Sequence, residues 1–247
     1  MVISQRSQRQ SFWHERVLLW NNALLAAVDD EFFSPDYWRS TGALLDQAAG
    51  RGCTYAFEYK EERYFLRHFR RGGLIAGLFK DFYLWTGLES TRAWREMDLL
   101  QAMAAANLPV PLPAAARIIR TGPVYRADII TRSIPDAAPL SDRLQHQEIS
   151  PAMWQRVGAC IRRFHDHGIS HADLNAHNIL IDDHDMVWLI DFDKGMWCKP
   201  NSLRKQANLK RLRRSLNKIW PSDTQADLDM DAAWHNLMQG YSISRSA

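Results

Sequence analysis

The 247-residue sequence lacks the features that mark secreted, membrane-spanning or zinc-binding proteins. Its three cysteines, Cys53, Cys160 and Cys198, are odd in number and form no Cys-x-x-Cys pair, which argues against a disulfide framework and a structural zinc site. The first ten residues, MVISQRSQRQ, are polar and lack the apolar core of a secretory signal. No stretch reaches the ~20 apolar residues that a membrane-spanning helix needs. We therefore expect the chain to stay on the cytoplasmic side.

The first half of the chain is predicted to be an antiparallel sheet with one long helix. Residues 1–50 look irregular to helical, and they are rich in aromatic residues. A helix that begins near Ser90 or Thr91 and ends near Ala106 is indicated by apolar residues at helical spacing. Four segments with the composition of strands surround it: Thr54–Tyr59, Arg63–Phe69, Ala116–Arg120 and Val124–Thr131.

The second half is predicted to be mainly helical, and Ile134–Pro139 is a plausible hinge before it. Ser150-Pro151 begins a strong helix, because a capping residue is followed by proline at the first helical position, and Gly168 ends it. Two short strands follow, at Ile179–Asp182 and Val187–Ile190, and the remainder is helical. The expected fold is therefore α+β with two lobes, residues 1–135 and residues 136–247.

The residues from His171 to Asp193 have the composition of a phosphoryl-transfer site. A loop after the helix presents Asp173 and, five residues later, Asn178, and a second acidic loop begins at Asp191. Phosphoryl transfer needs a carboxylate that accepts the proton of the attacking hydroxyl, and oxygen ligands that hold Mg²⁺ against the phosphates of ATP. Asp173 suits the first role, and Asn178 and Asp191 suit the second. The hairpin between them would bring Asp191 back to the end at which Asn178 lies.

This segment matches the protein-kinase pattern of a catalytic loop followed by a metal loop. In that pattern His171 organises the loop, and the alternative interpretation of the whole segment is a buried polar turn with capping aspartates. Three features depart from a protein kinase: Ala172 replaces an arginine, Asp193 follows Phe192 in place of glycine, and no Ala-Pro-Glu follows. Without that arginine, the chain has no obvious cation to bind a phosphorylated residue of an activation loop. We therefore infer a small-molecule or glycolipid kinase.

The first lobe is expected to bind the nucleotide. Gly50 and Gly52 precede the first hairpin, where a phosphate-covering loop belongs, because glycines let backbone N–H groups approach phosphate oxygens. Arg67 occupies the strand position at which kinases carry a lysine, and arginine can bind phosphate bidentately. The alternatives are an ordinary hairpin turn for the glycines and a solvated strand charge for Arg67.

Glu96 is the candidate partner of Arg67. It shares a helix face with the apolar Leu100, four residues later, so it should point inward. A buried glutamate needs a cation, and Arg67 is the obvious one. The alternative is a salt bridge at the rim with Arg92 or Arg95.

A basic segment covers residues 199–222, which contain many lysines and arginines and no acidic residue. Leu209, Leu212 and Leu216 share one face of the predicted helix. A basic amphipathic helix suits an anionic membrane surface or an anionic acceptor, although a helix with a solvated basic face explains the same pattern. Arg70-Arg71-Gly72-Gly73 is a second candidate contact for an anion, and the alternative there is a turn at the end of a hairpin.

The catalytic segment, HADLNAHNIL at 171–180 and VWLIDFD at 187–193, resembles the bacterial 3-deoxy-D-manno-octulosonic acid (Kdo) kinase family. Three other stretches agree with this family: Leu66–Gly73, Thr91–Ala93 and Leu209–Leu216. The resemblance covers about Gly50 to Trp220. It implies a protein-kinase-like fold that transfers the γ-phosphate of ATP to the 4-hydroxyl of the Kdo sugar on lipid A precursor.

Carried over to this sequence, the resemblance makes Asp173 the base, Asn178 and Asp191 the Mg²⁺ ligands, and Arg67 with Glu96 the ion pair at the nucleotide. It also implies a peripheral protein at the cytoplasmic face of the bacterial inner membrane. The expected partners are then ATP, a Kdo–lipid A glycolipid and the anionic membrane surface, and no nucleic acid.

Other functions are compatible with parts of the sequence. Heptose kinases and aminoglycoside or choline kinases share the core of Asp173, Asn178 and Asp191. A pseudokinase is disfavoured because these three residues are intact. A nucleic-acid-binding module would use the basic segment, but residues 199–222 lack the interleaved aromatic residues of single-strand platforms.

Overall fold

The structure is a computed structural model that describes residues 3–11, 14–47, 54–70, 81–146, 149–197, 202–221 and 229–243. The chain divides into two compact units. The first unit contains Met1–Ala105 and Pro111–Ser133, and the second contains Ala106–Val110 and Ile134–Ala247.

The first unit is built on one antiparallel sheet. Its elements, in chain order, are β1 (Ile3–Ser11), β2 (His14–Asn21), α1 (Pro35–Ser40), β3 (Leu44–Gln47), β4 (Thr54–Tyr59), β5 (Glu62–His68), β6 (Tyr83–Leu84), α2 (Arg92–Ala105), β7 (Pro113–Thr121) and β8 (Val124–Arg132). The strand order is β1-β2-β7-β8-β5-β4-β3, and β6 pairs with β8. The four strands and the long helix predicted between residues 54 and 132 are therefore confirmed.

Alternating burial along β5 positions the first candidate residue. Tyr64 and Leu66 are buried in the core of this unit, while Arg67 is only partly buried. Successive side chains of a strand point to opposite faces, so Arg67 lies on the face opposite Leu66. On α2, residues at helical spacing, including Met97 and Leu100, are buried and hold the helix in the unit.

The prediction that residues 1–50 are irregular to helical is wrong. Within residues 3–11 and 14–47, which the structure describes, lie the strands β1, β2 and β3 and the helix α1, which is six residues long. β1 is polar, and it pairs with β2 from Ile3 opposite Asn21 to Ser11 opposite His14. Main-chain hydrogen bonds form this ladder whatever the side chains are, so composition alone did not reveal the strand.

The second unit is mainly helical. Its elements are β9 (Ala138–Pro139), α3 (Leu140–Gln145), α4 (Pro151–Asp166), β10 (Ile169–Ser170), β11 (Ile179–Ile181), β12 (Val187–Leu189), β13 (Met196–Trp197), α5 (Ser202–Ile219) and α6 (Met230–Ser242). The strands form two small sheets, β12-β11-β9 and β10-β13. Together the two units confirm the expected α+β architecture of an antiparallel sheet with one long helix and a mainly helical second part.

Helix α4 leads into the candidate site, and its ends are set by local chemistry. The Ser150 side chain accepts a hydrogen bond from the Met153 N–H at 3.2 Å, and Pro151 occupies the first turn. Gly168 follows the helix with a φ of 72°, a left-handed conformation that favours glycine. The chain then passes directly into β10 and the loop that carries Asp173.

Candidate active site

In the first unit, an ion pair joins β5 to α2. The Arg67 guanidinium donates to the Glu96 carboxylate through Nη2 and Oε2. The Glu96 side chain is only 3% exposed and that of Arg67 is 23% exposed, so both charges are largely removed from water. The Arg67 Cζ also lies 5.0 Å from the centre of the Phe69 ring. The predicted contact is present, and what the pair binds stays a prediction.

The structure describes only one of the other candidate phosphate and anion contacts of this unit, Arg70. Gly50 and Gly52 lie outside the described residues, and so do Arg71, Gly72 and Gly73. Arg70 is described, and its Nε lies 3.5 Å from Asp81 Oδ1.

In the second unit, two asparagine side chains shape the loop around Asp173. Asn175 Oδ1 accepts from the N–H groups of His177 and Asn178 at 2.9 and 3.2 Å, which caps the short 3₁₀ turn Ala176–Asn178. Asn178 Nδ2 donates to the Asp173 carbonyl at 2.9 Å. Asn175 Nδ2 donates to the same carbonyl at 2.9 Å and to Asp173 Oδ2 at 3.2 Å. The backbone and carboxylate of Asp173 are thus held by amides within five residues.

His171 connects this loop to the segment that carries Asp191. The Asp173 N–H donates to His171 Nδ1 at 3.1 Å, so this nitrogen carries no proton. The proton is therefore on Nε2, which donates to the Ile190 carbonyl at 2.8 Å. The ring is buried, and its two hydrogen bonds fit the organising role that the sequence predicts for His171.

The hairpin of β11 and β12 brings Asp191 to the same end as Asn178. The Ile190 N–H donates to the Asn178 carbonyl at 3.0 Å, one step beyond the pairing of Ile179 with Leu189. Asp191 has a φ of 62°, a left-handed conformation that is uncommon outside glycine and that clusters at functional sites. The next residue, Phe192, is buried against His171 with ring centres 4.6 Å apart, which holds this turn in place.

Asn178 and Asp191 carry amide and carboxylate oxygens, which are the kind of ligand that Mg²⁺ takes. Asn178 donates through Nδ2 to the Asp173 carbonyl. Its Oδ1 is an acceptor on the other side of the amide group and can serve as a ligand for a cation. Among the described residues, no group of three or more His, Cys, Asp or Glu side chains could hold a metal ion. Mg²⁺ does not require such a cage, since it is commonly held by one or two protein oxygens together with substrate phosphates and water.

Two residues of α5 that the sequence analysis did not assign to the site support it. Arg211 Nη1 lies 2.9 Å from Asp173 Oδ1. Asn208 Oδ1 accepts from the His171 N–H at 3.1 Å, and Asn208 Nδ2 donates to the His171 carbonyl at 2.8 Å. The sequence contains a signal for Asn208. It is a polar residue four positions before Leu212, so it lies on the buried face of the predicted helix, where a polar side chain needs a partner.

Burial keeps two histidines of this unit neutral. Loss of hydration lowers the pKa of His171 below its ordinary value of 6.5, although the hydrogen bond to Ile190 opposes the shift. Burial also lowers the pKa of His165, whose Nε2 lies 3.2 Å from Asn208 Oδ1. The two imidazoles and Asn208 therefore form one buried network that is satisfied in the uncharged state.

Acidification below about pH 6.5 should therefore destabilise the protein. Below the ordinary pKa of these imidazoles, the unfolded chain binds more protons on them than the folded chain does, so the free energy of unfolding falls as the pH falls through this range. Urea denaturation at pH 7.5 and 5.0 measures the difference, and His171→Gln should reduce it. His184→Gln, at an exposed histidine, is the control. A free energy of unfolding that is equal or higher at pH 5.0 than at pH 7.5 would contradict this account.

Comparison with known proteins relates the sequence of this chain to kinases. Residues 35–241 match the profile of the family described as "Lipopolysaccharide kinase (Kdo/WaaP) family". A Vibrio cholerae protein named 3-deoxy-D-manno-octulosonic acid kinase is 40% identical over 218 residues, which cover 88% of this chain and 90% of that protein. Proteins of the same name from Vibrio vulnificus and Stenotrophomonas maltophilia are 36% and 39% identical. The first covers 95% of this chain and 98% of its own length, and the second covers 87% and 85%.

Proposed function

The chain belongs to the lipopolysaccharide kinase (Kdo/WaaP) family, and from that membership we propose that it transfers the γ-phosphate of ATP to the 4-hydroxyl of the Kdo sugar on lipid A precursor. It is a phosphotransferase whose acceptor is a hydroxyl. The observation that carries the proposal is the arrangement of Asp173, Asn178 and Asp191, which His171 and the β11–β12 hairpin bring to one end of the second unit. We propose residues 136–247 as the catalytic lobe and residues 1–135 as the nucleotide lobe.

Asp173 is proposed as the base. Its carboxylate would accept the proton of the acceptor hydroxyl while the oxygen of that hydroxyl forms a bond to the γ-phosphorus and the bond to ADP breaks. Arg211 and Asn175 each occupy one lone pair on different oxygens of this carboxylate. An ionised carboxylate offers about four acceptor positions, so both oxygens retain capacity for a hydroxyl proton.

Asn178 Oδ1 and the Asp191 carboxylate are proposed to hold Mg²⁺. When bound, the ion would neutralise charge on the phosphates of ATP. The fold would hold both ligand side chains in position before the ion binds. The left-handed turn at Asp191 is fixed by buried Phe192, and the Asn178 amide is oriented by its bond to the Asp173 carbonyl.

Arg67 and Glu96 are proposed to contribute to ATP binding, with Glu96 orienting the guanidinium toward a phosphate. The planar guanidinium keeps donors on Nε and both terminal nitrogens, so one edge can bind Glu96 while another binds a phosphate oxygen. Gly50 and Gly52 are proposed to supply backbone N–H groups to the same nucleotide.

Replacing Glu96 by Gln should lower kcat/KM for ATP by roughly tenfold to a hundredfold, because the buried charged hydrogen bond that orients Arg67 is lost. Steady-state kinetics at varied ATP and saturating acceptor measure the effect. Glu89→Gln, which changes an exposed glutamate just before α2, is the matched control. Unchanged kinetics in a folded Glu96→Gln variant would show that the pair is only structural.

The proposed location is the cytoplasmic face of the inner membrane, as a peripheral protein. Within the described ranges, every helix is too short or too polar to span a bilayer. The cations of residues 199–222 support attraction to an anionic lipid surface, to which each lysine or arginine contributes about 1 kcal/mol near the surface.

An acceptor panel tests the proposed function. ADP formation is followed with ATP and Mg²⁺ in the presence of Kdo-bearing lipid A precursor, the same lipid without Kdo, a heptose-bearing acceptor, an aminoglycoside and choline. We expect turnover with the Kdo-bearing lipid alone, and mass spectrometry with NMR should place the new phosphate on the 4-position. Turnover with an amino sugar or choline, and none with the Kdo lipid, would overturn the proposal.

A further inference from the structure

A basic groove of about 740 Å³ lies in the second unit, beside the loop that carries Asp173. One wall is Ser170, His171 and Ala172, and the other is α5. Among the described residues, no acidic side chain lines the groove, and five cations do: Arg204, Lys210, Arg211, Arg213 and Arg214. A concave surface lined by charges of one sign concentrates ligands of the opposite sign, so the groove suits an anion.

Not all of these cations are equally available to a ligand. Arg211 is paired with Asp173, and Arg213 Nη2 lies 2.9 Å from Asp231 Oδ1. Lys210 and Arg214 have no acidic partner in the part of the chain that the structure describes. They are four residues apart on α5, so their side chains are neighbours on one face of the helix.

The position of the groove relative to Asp173 restricts which anion it can serve. Ala172 lines the groove and is adjacent to Asp173 in the chain, and Arg211 lines it while binding the Asp173 carboxylate. An anion bound there therefore lies close to the hydroxyl whose proton Asp173 is proposed to accept. In a sugar acid, the carboxylate and the hydroxyls belong to one ring, whereas the phosphates of a lipid A precursor belong to other sugars.

We propose that Lys210 and Arg214 bind the carboxylate of the acceptor sugar acid and so place its hydroxyl at Asp173. This inference rests on the proposed function and identifies residues that determine acceptor specificity. Arg214 offers the planar pair of donors that matches a carboxylate, and Lys210 adds a second charge one helical turn away. Arg211 also lines the groove, but its guanidinium is paired with the Asp173 carboxylate, so we assign the acceptor carboxylate to Lys210 and Arg214.

Kinetics of Lys210→Met and Arg214→Met test the inference with acceptor in detergent micelles. Each variant should lower kcat/KM for the Kdo-bearing acceptor by roughly tenfold to a hundredfold, the factor expected for a lost hydrogen bond to a charged group, and should leave KM for ATP unchanged. Arg214→Lys should recover part of the loss because it restores the charge. Arg156→Met is the matched control, since it removes an exposed arginine of α4 outside the groove.

An acceptor whose sugar carboxylate is a methyl ester tests whether Lys210 and Arg214 bind that carboxylate or act in another way. With the ester, kcat/KM of the wild-type protein should fall by a similar factor. The Lys210→Met and Arg214→Met substitutions should then lower it little further, because the ester has already removed the contact with the carboxylate. If the variants lose the same factor in kcat/KM with the acid and with the ester, the inference is overturned. It is also overturned if the loss in the variants requires the lipid phosphates or appears only with acceptor in vesicles. A wild-type protein inactive with every Kdo acceptor would refute the proposed function itself, whereas active wild type with unaffected variants would refute only this inference.

Discussion

Replacing Asp173 by Asn should lower kcat for phosphoryl transfer by about a hundredfold to ten-thousandfold, the range in which a general base contributes. The amide has the shape of the carboxylate but cannot accept the hydroxyl proton as a base. The loop should keep its form, because Asn175 and Asn178 donate to the Asp173 carbonyl, which the substitution leaves in place. Phosphate transfer to the Kdo acceptor at saturating ATP measures the effect.

The control for this variant is Asp183→Asn, which removes an exposed carboxylate from the same unit. Circular dichroism and thermal melting should show that both variants are folded. The pair with Arg211 is weakened in Asp173→Asn, but both partners of that pair are about half exposed, so its loss should cost little stability. Turnover close to wild type in Asp173→Asn would exclude Asp173 as the base and would leave the proposed mechanism without one.

Replacing Gly158 by Ala should lower the free energy of unfolding by about 3 kcal/mol, the upper end of the usual cost of overpacking. Gly158 is on α4 where that helix crosses α6, and an added Cβ would overlap the Leu237 carbonyl oxygen and lie 2.8 Å from the Tyr241 nitrogen. Both obstacles are backbone atoms, so no side-chain rotation relieves the overlap, and the helices must separate.

Gly240 makes the reciprocal contact from α6, because a Cβ there would lie 2.6 Å from the Gln155 Cα. Gly240→Ala should therefore be destabilising to a similar extent, and the two substitutions should not be additive once the helices have separated. Ala232→Ser, which adds one atom on an exposed face of α6, is the control. Urea denaturation of the wild type, the two single variants, the double variant and the control measures these effects. A Gly158→Ala variant within 0.5 kcal/mol of wild type, roughly the scatter of surface substitutions, would show that the helices do not need this close approach.

The helices and hairpins predicted correctly are those whose signals are local. Ser150 and Pro151 mark the start of α4 because a cap and a first-turn proline act within one turn. The two-residue turn at Lys60 and Glu61 separates β4 from β5, and it lies between the predicted strands Thr54–Tyr59 and Arg63–Phe69. In each case the residues that define the element are neighbours in the chain.

The strands of residues 1–50 were missed because their pairing is not local. β2 lies between β1 and β7, and its pairing places Trp20 opposite Ala115, far along the chain. β1 carries a polar sequence with little β propensity and is held by main-chain hydrogen bonds to β2. Nothing in a short window of this sequence separates such an edge strand from an irregular segment.

The sequence by itself determined which residues are proposed for the chemistry. Asp173, Asn178 and Asp191 lie in one loop and one short hairpin, so their mutual placement follows from spacing within about twenty residues. The tertiary structure alone decided what surrounds them. Arg211 binds Asp173 across 38 positions, and Asn208 binds His171 across 37. Those contacts, and the basic groove beside them, exist because α5 packs against the loop, and packing between distant segments is not encoded in local spacing.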